Sequence, residues 1–189
     1  MSEQLTAFAN IDQSLVRRVR AGDLSATESL VRRWQVPIVR FLERRVGNRA
    51  DAEDLFQETF IRVQMNLDHY DDRRSFKTWI FTIAWRLAAN HLRDRKKTID
   101  PGLLDGFASR ELSPIQSAMD VDLHASLWAT ARRVLRGEHY LILWLFYVEQ
   151  LSPQEISVVT GKTWIAIKTA LHRARKRLKL HVRELEKVV

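Results

Sequence analysis

Charge is the first feature of this sequence that suggests chemistry, because acids and bases are segregated within one stretch, residues 51–97. Its first part, residues 51–72, contains seven acidic residues and a single basic one, Arg62. Its second part, residues 73–97, contains eight basic residues and a single acidic one, Asp94, with several aromatic residues among them. Two adjacent surfaces of opposite charge predict two different partners, one of them basic and the other a polyanion.

The acids at the start of this stretch, Asp51, Glu53, Asp54 and Glu58, could bind a metal ion or a basic partner. Asp54 and Glu58 lie four residues apart, which places them on one face of a helix. Carboxylate metal sites in helical bundles pair such acids with a histidine three residues later, and this helix has no histidine at that spacing. The pattern favours a docking face for a basic helical partner, with a solvated acidic surface as the alternative.

Aromatic and basic residues are interleaved in the second part of the stretch. Phe81 and Trp85 lie four residues apart, off the main apolar stripe, next to Arg86 and near Arg93. Tyr70, in the preceding loop, would extend the same surface. Rings that stack on unpaired bases, beside cations that bind phosphates, are typical of proteins that bind single-stranded nucleic acid. The alternative is that the rings pack against another helix and that the bases are solvated.

A second basic region, beyond residue 150, has the pattern of a helix-turn-helix. Ser152 and Glu155 form a capping box with Pro153 at the first helical position, which predicts a helix that ends at Gly161. Thr163 then caps a last helix whose outward positions are rich in basic residues. In a helix-turn-helix this second helix enters the major groove of DNA. A basic helical hairpin on some other α-domain is the alternative.

Apolar residues recur at spacings of three and four along most of the chain, and no alternating pattern typical of strands is present. The sequence therefore predicts an all-α fold of two small helical domains joined by a flexible linker. The predicted domains span residues 10–97 and 123–183. The segment between them, residues 98–122, contains helix breakers and five acids against one base, which predicts an acidic linker. In the first domain, Pro37 is predicted to kink or end a helix, and Asp51 to cap a later one.

Composition excludes several classes of function. The 189 residues include no cysteine, which excludes disulfides, thiolate metal sites and cysteine catalysis, and the net charge of +8 suits a phosphate-rich partner. Scattered histidines, and the lack of a nucleophile–base pair or a glycine-rich loop, predict no catalytic residue, metal, cofactor or small-molecule substrate. We expect a cytoplasmic protein without membrane insertion, because the first twenty residues lack the pattern of a signal peptide and no apolar run approaches roughly 20 residues.

Two runs of the sequence resemble one known family. The run DAEDLFQETFIRV…LDHY…SFKTWIFTIAWRLAANHLRDRKK, within residues 51–97, resembles conserved region two of bacterial sigma factors. The run VEQLSPQEISVVTGKTWIAIKTALHRARKRL, residues 148–178, resembles their region four. With only a short linker between the two regions, the chain resembles the extracytoplasmic-function (ECF) group of the sigma-70 family.

The resemblance implies a role and partners for each region. As a sigma factor the chain would bind core RNA polymerase, recognise and melt promoter DNA, and be held inactive by an anti-sigma factor. The residues that would dock on the clamp helices of the polymerase beta-prime subunit are Asp51, Asp54, Gln57 and Glu58. Those that would open and read the minus-ten element are Tyr70, Trp79, Phe81, Trp85, Arg86, Asn90, Arg93 and Lys96. Those that would read the minus-thirty-five element are Thr163, Trp164, Lys168, Thr169, His172, Arg173, Arg175, Lys176 and Arg177.

The chain also departs from the family pattern at three positions. Ile165 and Ala170 stand where the family usually has glycine and arginine, which predicts the loss of a close backbone approach and of a DNA contact. Arg86 stands where many members have a smaller polar residue. The departures at Ile165 and Ala170 leave a non-standard upstream element open, and Arg86 leaves the base choice in the minus-ten region open.

Two further functions remain open at the level of sequence. The chain could be a stand-alone helix-turn-helix regulator that binds duplex DNA without polymerase, in which case the acidic face around Asp54 would have no role. It could also be a metal-dependent hydrolase that uses the acidic helix, although the histidine ligands of such a site are missing.

Overall fold

The computed structural model describes residues 2–98, 121–135 and 137–186, with side chains placed for residues 11–97, 127–135 and 137–181. These ranges contain helices and no strand, so the all-α prediction is confirmed. The chain divides into two compact units, which we call the N-terminal unit (residues 1–110) and the C-terminal unit (residues 111–189). The helices are α1 (Ser2–Arg20), α2 (Leu24–Val46), α3 (Arg49–Asn66), α4 (Phe76–Thr98), α5 (Val121–Val134), α6 (Gly137–Tyr147), α7 (Pro153–Thr160) and α8 (Trp164–Glu186).

The N-terminal unit is organised around α4, which packs against α1, α2 and α3. Its core is formed where α2 and α4 meet, and the largest fully buried side chains there are Ile38, Phe41, Leu42, Ile80 and Phe81. The inward face of α3 carries the buried residues Ala52, Leu55, Phe56, Thr59, Phe60 and Val63. Because three helices surround α4, more than one face of that helix is buried.

Local signals set the helix ends of the N-terminal unit. Asp23 caps α2 by accepting hydrogen bonds from the backbone N–H groups of Ser25 and Ala26, and hydrogen bonds from Ser25 and Arg18 hold its pKa low, at about 2. Gly47 ends α2 with a φ of 77°, a left-handed conformation that glycine adopts without strain. Ser75 begins α4, its hydroxyl accepting from Thr78 N at 3.3 Å.

One prediction about this unit is wrong, and one of the two alternatives predicted for Pro37 is ruled out. Asn48, not Asp51, caps α3, because the helix begins at Arg49 and the Asn48 side chain accepts from Ala50 N at 2.9 Å. Pro37 does not mark a boundary, since α2 continues through it from Leu24 to Val46. Tertiary packing on both sides of the proline, with Trp34 and Ile38 buried, offsets the hydrogen bond that its missing N–H removes.

The C-terminal unit consists of α5 to α8, and α8 packs against the other three helices. The predicted capping box of α7 is confirmed: Ser152 N donates to Glu155 Oε2 at 2.9 Å, and Glu155 N donates to Ser152 Oγ at 3.2 Å. Gly161 ends α7 with a φ of 72°. Ile156 and Ile167, one on each side of this turn, are fully buried.

The predicted linker lies almost entirely outside the described residues, which omit 99–120. Its last two positions, 121 and 122, belong to α5. Within the described ranges, none of the helices combines the length and the apolar character that a bilayer crossing requires.

Candidate nucleic-acid interface

Helices α7 and α8 form a helix-turn-helix. The eight residues of α7 are followed by a three-residue turn, residues 161–163, and by the 23 residues of α8. Thr163 caps α8 as predicted, its hydroxyl accepting from Ala166 N at 3.3 Å. The short turn and the two buried isoleucines hold the helices together, which leaves one long face of α8 in water.

The basic residues predicted to read the upstream element lie on the exposed side of α8. The packed side buries Ile167, Leu171 and Ala174 at spacings of four and three. The exposed residues include all nine predicted positions: Thr163, Trp164, Lys168, Thr169, His172, Arg173, Arg175, Lys176 and Arg177. The arrangement can present cations to a polyanion along more than three helical turns.

Two of these basic side chains have contacts within the C-terminal unit. The Lys168 ammonium lies 4.2 Å from the centroid of the Trp164 ring, a cation–π contact within α8. Arg175 donates a hydrogen bond to the Tyr147 hydroxyl at 2.9 Å and lies 5.0 Å from the ring centroid of Phe146. Arg175 is therefore directed towards α6, whereas Lys168 is on the outward side.

The two departures from the family pattern in α8 lie in different environments. Ile165 is 69% exposed in the first turn of the helix. Ala170 is 7% exposed and belongs to the packed face. An alanine at this position is accounted for by packing, so the expectation that it removes a DNA contact has no support from the geometry.

The aromatic residues predicted to stack on bases are buried, so the expectation of an exposed aromatic surface is wrong for Tyr70, Phe81 and Trp85. Phe81 is fully buried, with its ring in edge contact with Phe41 (5.3 Å between centroids). Trp85, which is 7% exposed, stacks on Phe41 at 6.1 Å. The physical reason is that α4 has three helical neighbours, so rings that lie off its main apolar stripe contact α2 instead of water.

Tyr70 holds the loop between α3 and α4. Its hydroxyl donates to the carbonyl oxygen of Arg74, and its ring lies 4.8 Å from that of Trp79, which is half-buried. Burial, with a further contribution from the Asp72 carboxylate, raises the pKa of Tyr70 to about 12. The side chain is thus part of the structure of the loop.

Arg20 of α1 binds the same loop from the other side. Its guanidinium donates to the carbonyl oxygens of Leu67 and Tyr70 and pairs with Asp72 at 2.7 Å. Gln13, two turns earlier on α1, donates to the Asp72 carbonyl oxygen at 2.8 Å. Sequence reasoning did not identify these α1 residues, because their partners are mostly backbone atoms and lie 47 to 59 residues away in the sequence.

The polar residues predicted on α4 form one exposed face. Arg86, Asn90 and Arg93 follow one another at spacings of four and three, and all three are exposed. Lys96, three residues later, is exposed at the edge of this face. This part of α4 can contact phosphates and base edges without any change in packing.

The outward face of α3 combines polar and apolar side chains. Asp54 and Gln57 are exposed, and among the described residues neither side chain has a hydrogen bond or ion pair. Ile61 and Met65 continue the same face at spacings of four and are 55% and 76% exposed. Sequence reasoning did not identify these two residues, although their spacing from Gln57, off the buried stripe, is a usable signal. Exposed apolar residues rimmed by polar ones are typical of protein-binding surfaces.

The other two predicted docking acids have partners within the N-terminal unit. Glu58 pairs with Arg62 one turn along α3, at 2.8 Å. Asp51 lies 3.4 Å from His91 and 3.7 Å from Arg95, both on α4. Asp51 therefore joins α3 to the basic end of α4 and lies to one side of the Asp54 face.

The described residues contain no group of three or more histidine, aspartate or glutamate side chains arranged to hold a metal ion.

Comparisons with known proteins place both units in one family. The model of sigma-70 region 2 matches residues 30–98, and the model of sigma-70 region 4 matches residues 141–178. The RNA polymerase sigma factor CarQ of Myxococcus xanthus is 33% identical over 176 residues, which cover 90% of this chain and 97% of CarQ. The ECF RNA polymerase sigma factor SigW of Bacillus subtilis is 26% identical over 180 residues, 90% of this chain and 96% of SigW.

Solved structures show the same fold. The structure of CnrH in complex with the cytosolic domain of CnrY matches with a TM-score of 0.62 at 21% identity, over 92% of this chain and 98% of that one. The sigma factor RpoE of Bartonella quintana, in complex with the anti-sigma factor NepR, matches with a TM-score of 0.64 at 22% identity, over 78% and 90%. With region 2 and region 4 in order and a relative matched along nearly its whole length, the chain belongs to the ECF group of the sigma-70 family, the factors that direct RNA polymerase to promoters for the initiation of transcription.

Proposed function

We propose that the two units of this sigma factor divide its work, the N-terminal unit binding core RNA polymerase and the minus-ten element and the C-terminal unit binding the minus-thirty-five element as duplex. The observation that carries this proposal is the exposed basic face of α8 in a helix-turn-helix. A long cationic helix face beside a tight turn suits the major groove and its phosphates. The proposed division follows the predicted domains, residues 10–97 and 123–183, with residues 98–122 as the connection.

The polymerase-binding face is proposed to be the outward side of α3. Asp54, Gln57 and Glu58 supply its polar part, and Ile61 and Met65 supply exposed apolar area. A protein interface gains from apolar burial at its centre and from charge complementarity at its rim. The partner surface on the beta-prime clamp helices would accordingly be basic with an apolar centre.

The minus-ten element is proposed to contact the exposed face of α4. Arg86, Asn90, Arg93 and Lys96 offer donors for phosphates and bases, and half-buried Trp79 lies two turns before Arg86 on the same face. We assign Tyr70, Phe81 and Trp85 a supporting role, since their rings are packed against other parts of the N-terminal unit. Melting would then depend on these rings through the shape of α4 and the loop before it.

An anti-sigma factor is proposed as a regulatory partner. The support is the fold shared with Bartonella quintana RpoE, whose solved structure contains the anti-sigma factor NepR. An inhibitor that covers the α3 face or the α8 face would block polymerase or promoter binding. We place the activity in the cytoplasm, because the factor acts on RNA polymerase and the chromosome.

A charge reversal on α3 tests the proposed polymerase face. The Asp54→Arg substitution should weaken binding to core RNA polymerase about 10-fold or more, because reversing a charge across an interface turns attraction into repulsion worth several kcal/mol. Glu53→Arg is the matched control, since Glu53 is equally acidic and exposed but pairs with Arg49 at the flank of the helix. Equal affinities of the two variants in a fluorescence titration would remove α3 from the interface. Sequence-specific duplex binding and promoter regulation that proceed without polymerase would instead favour a stand-alone regulator.

A further inference from the structure

Ile165 is an exposed apolar residue at the start of the basic helix α8. Its side chain is 69% exposed, although isoleucine is among the residue types most often buried in proteins. It lies in the first turn, directly after Trp164 and next to the Thr163 cap. Among the described residues of the C-terminal unit, packing leaves this side chain largely in water.

The face that Ile165 begins is the one that points away from the C-terminal unit. Thr169, His172 and Lys176 follow Ile165 at spacings of four, three and four, and all are exposed. The opposite side of the helix carries the buried residues Ile167, Ala170, Leu171 and Ala174. Ile165 is therefore on the midline of the surface that a major groove would meet, at its N-terminal end.

The next residue along this face, Thr169, is polar but hydrogen-bonded to the backbone, and cations flank Ile165 on both sides. The Thr169 hydroxyl donates to the carbonyl oxygen of Ile165 at 2.9 Å. Because its proton is used in this bond, Thr169 offers no hydrogen-bond donor to a ligand on this face. Lys168, whose ammonium lies 4.2 Å from the Trp164 ring centroid, and Arg173 flank the face as exposed cations. An apolar tip between two cations fits a polyanion that carries an apolar group.

The major groove of DNA supplies such a group. The N-terminal residues of a recognition helix reach base edges, and the apolar group at the base edges of this groove is the C5-methyl of thymine. We propose that Ile165 is a specificity-determining residue that selects thymine in the upstream element through contact with this methyl group, while Lys168 and Arg173 bind the adjacent phosphates. The proposal rests on the proposed duplex-binding role of the C-terminal unit and adds a base preference to it.

Replacement of thymidine by deoxyuridine tests this contact, because uracil, the base of deoxyuridine, differs from thymine only in lacking the C5-methyl group. Holoenzyme formed from the full chain and core RNA polymerase is first used to select duplexes from a randomised library. Each thymine of a selected upstream element is then replaced singly, and relative affinities are measured by competition. Replacement at one thymine should weaken binding about four-fold, the equivalent of leaving one methyl group in water, and replacement elsewhere should have little effect.

Variants of Ile165 connect the thymine to this side chain. The Ile165→Ala substitution should abolish discrimination between thymine and deoxyuridine at that position, and Ile165→Val, which keeps a branched methyl, should retain most of it. Leu180→Ala is the matched control, because Leu180 is 53% exposed on α8 but lies about 22 Å further along the helix axis. This control should discriminate as the unaltered protein does. Because Ile165 and Leu180 are exposed, both variants should keep the melting temperature of the unaltered protein.

Each other outcome overturns the assignment in a recognisable way. If the holoenzyme binds the duplex specifically but its affinity is unchanged by deoxyuridine at every thymine position, the methyl contact does not exist. The proposed function is then unaffected. A loss of affinity for core polymerase in Ile165→Ala, with the thymine preference unchanged, would make this face a protein-binding surface. A holoenzyme in which the C-terminal unit protects no upstream duplex would contradict the proposed function itself.

Discussion

The guanidinium of Arg45 lies over the indole ring of Trp85, with its central carbon 3.5 Å from the ring centroid. This contact joins α2 to α4, and Phe41, one turn before Arg45, stacks on the same ring at 6.1 Å. The indole is therefore occupied by protein groups on α2. An aromatic ring held in this way, and only 7% exposed, stabilises the N-terminal unit and offers little area to a nucleic-acid base.

Truncation of this ring should cost stability. The Trp85→Ala substitution is expected to lower the free energy of unfolding by about 3–5 kcal/mol, because it leaves a cavity between α2 and α4. Trp164→Ala, at a tryptophan that is 42% exposed on α8, should change it much less. Denaturant unfolding followed by far-UV circular dichroism compares the two variants. A Trp85→Ala protein of unchanged stability that fails only in strand opening would restore the base-stacking role.

The Arg20 contacts should determine how rigid the loop between α3 and α4 is. Arg20→Ala removes one cation from three acceptors, the carbonyl oxygens of Leu67 and Tyr70 and the Asp72 carboxylate. Hydrogen bonds to charged groups contribute about 1.5–3 kcal/mol, so the loop should open more often. Hydrogen exchange in peptides that cover residues 67–75 should accelerate. Arg17→Ala is the control, since Arg17 is exposed and, among the described residues, its side chain bonds only to Gln13 of the same helix. Equal exchange in the two variants would contradict the role of Arg20.

Tyr70, in the loop between α3 and α4, should lose its phenol proton at a higher pH than an exposed tyrosine. Burial raises the pKa of Tyr70 from 10.0 to about 12, so the folded protein holds the phenol proton more tightly than the unfolded chain. The resulting stabilisation is complete below about pH 10 and is lost as the pH rises through about 12. An ultraviolet titration should show a step near pH 12 that Tyr70→Phe removes. Tyr147→Phe also removes one phenol but leaves the Tyr70 contacts intact, so it should retain the step. A step that survives in Tyr70→Phe would show that it does not come from Tyr70 and would contradict this prediction.

The basic residues of α8 should determine how strongly promoter binding depends on salt concentration. Alanine at Lys168, Arg173 or Arg177 is expected to weaken duplex binding and to reduce the slope of log affinity against log salt by about one for each lost phosphate contact. Filter binding of the holoenzyme over a range of salt concentrations measures this slope. Arg133→Ala, at an exposed arginine of α5 outside the helix-turn-helix, should leave it unchanged. A slope that responds to Arg133 and not to Lys168 would place the DNA on another face.

The parts of the fold that local sequence determines are the parts that could be predicted. The capping box at Ser152 and Glu155, the glycine at 161 and the Thr163 cap all use neighbours within four residues, so their partners are visible in the sequence. The cap of α3 shows the limit of this reasoning. Asn48 and Asp51 are both competent caps, and the choice of Asn48 depends on where α3 begins against α2.

The candidate site was predictable where a helix has one packed face and unpredictable where it has several. The outward residues of α8 follow from a single buried stripe, so their exposure agrees with the prediction. Phe81 and Trp85 differ because the neighbours of α4 bury most of its circumference, whereas the buried residues of α8 all lie on one side of that helix. How the neighbouring helices are arranged is a tertiary property that periodicity does not contain. Ile61 and Met65 were not predicted for a different reason. Single apolar residues outside the buried stripe of a helix are common on protein surfaces, so they do not by themselves indicate a binding site.

The most direct test of promoter-directed initiation is run-off transcription on a promoter library. Bacterial core RNA polymerase is supplied with the full chain, and the transcripts are sequenced to locate their start sites. We predict discrete start sites that require the chain, lie downstream of a shared pair of promoter elements, and fall sharply with Asp54→Arg but not with Glu53→Arg. Transcription that is the same with and without the chain, on every template of the library, would contradict its action as a sigma factor.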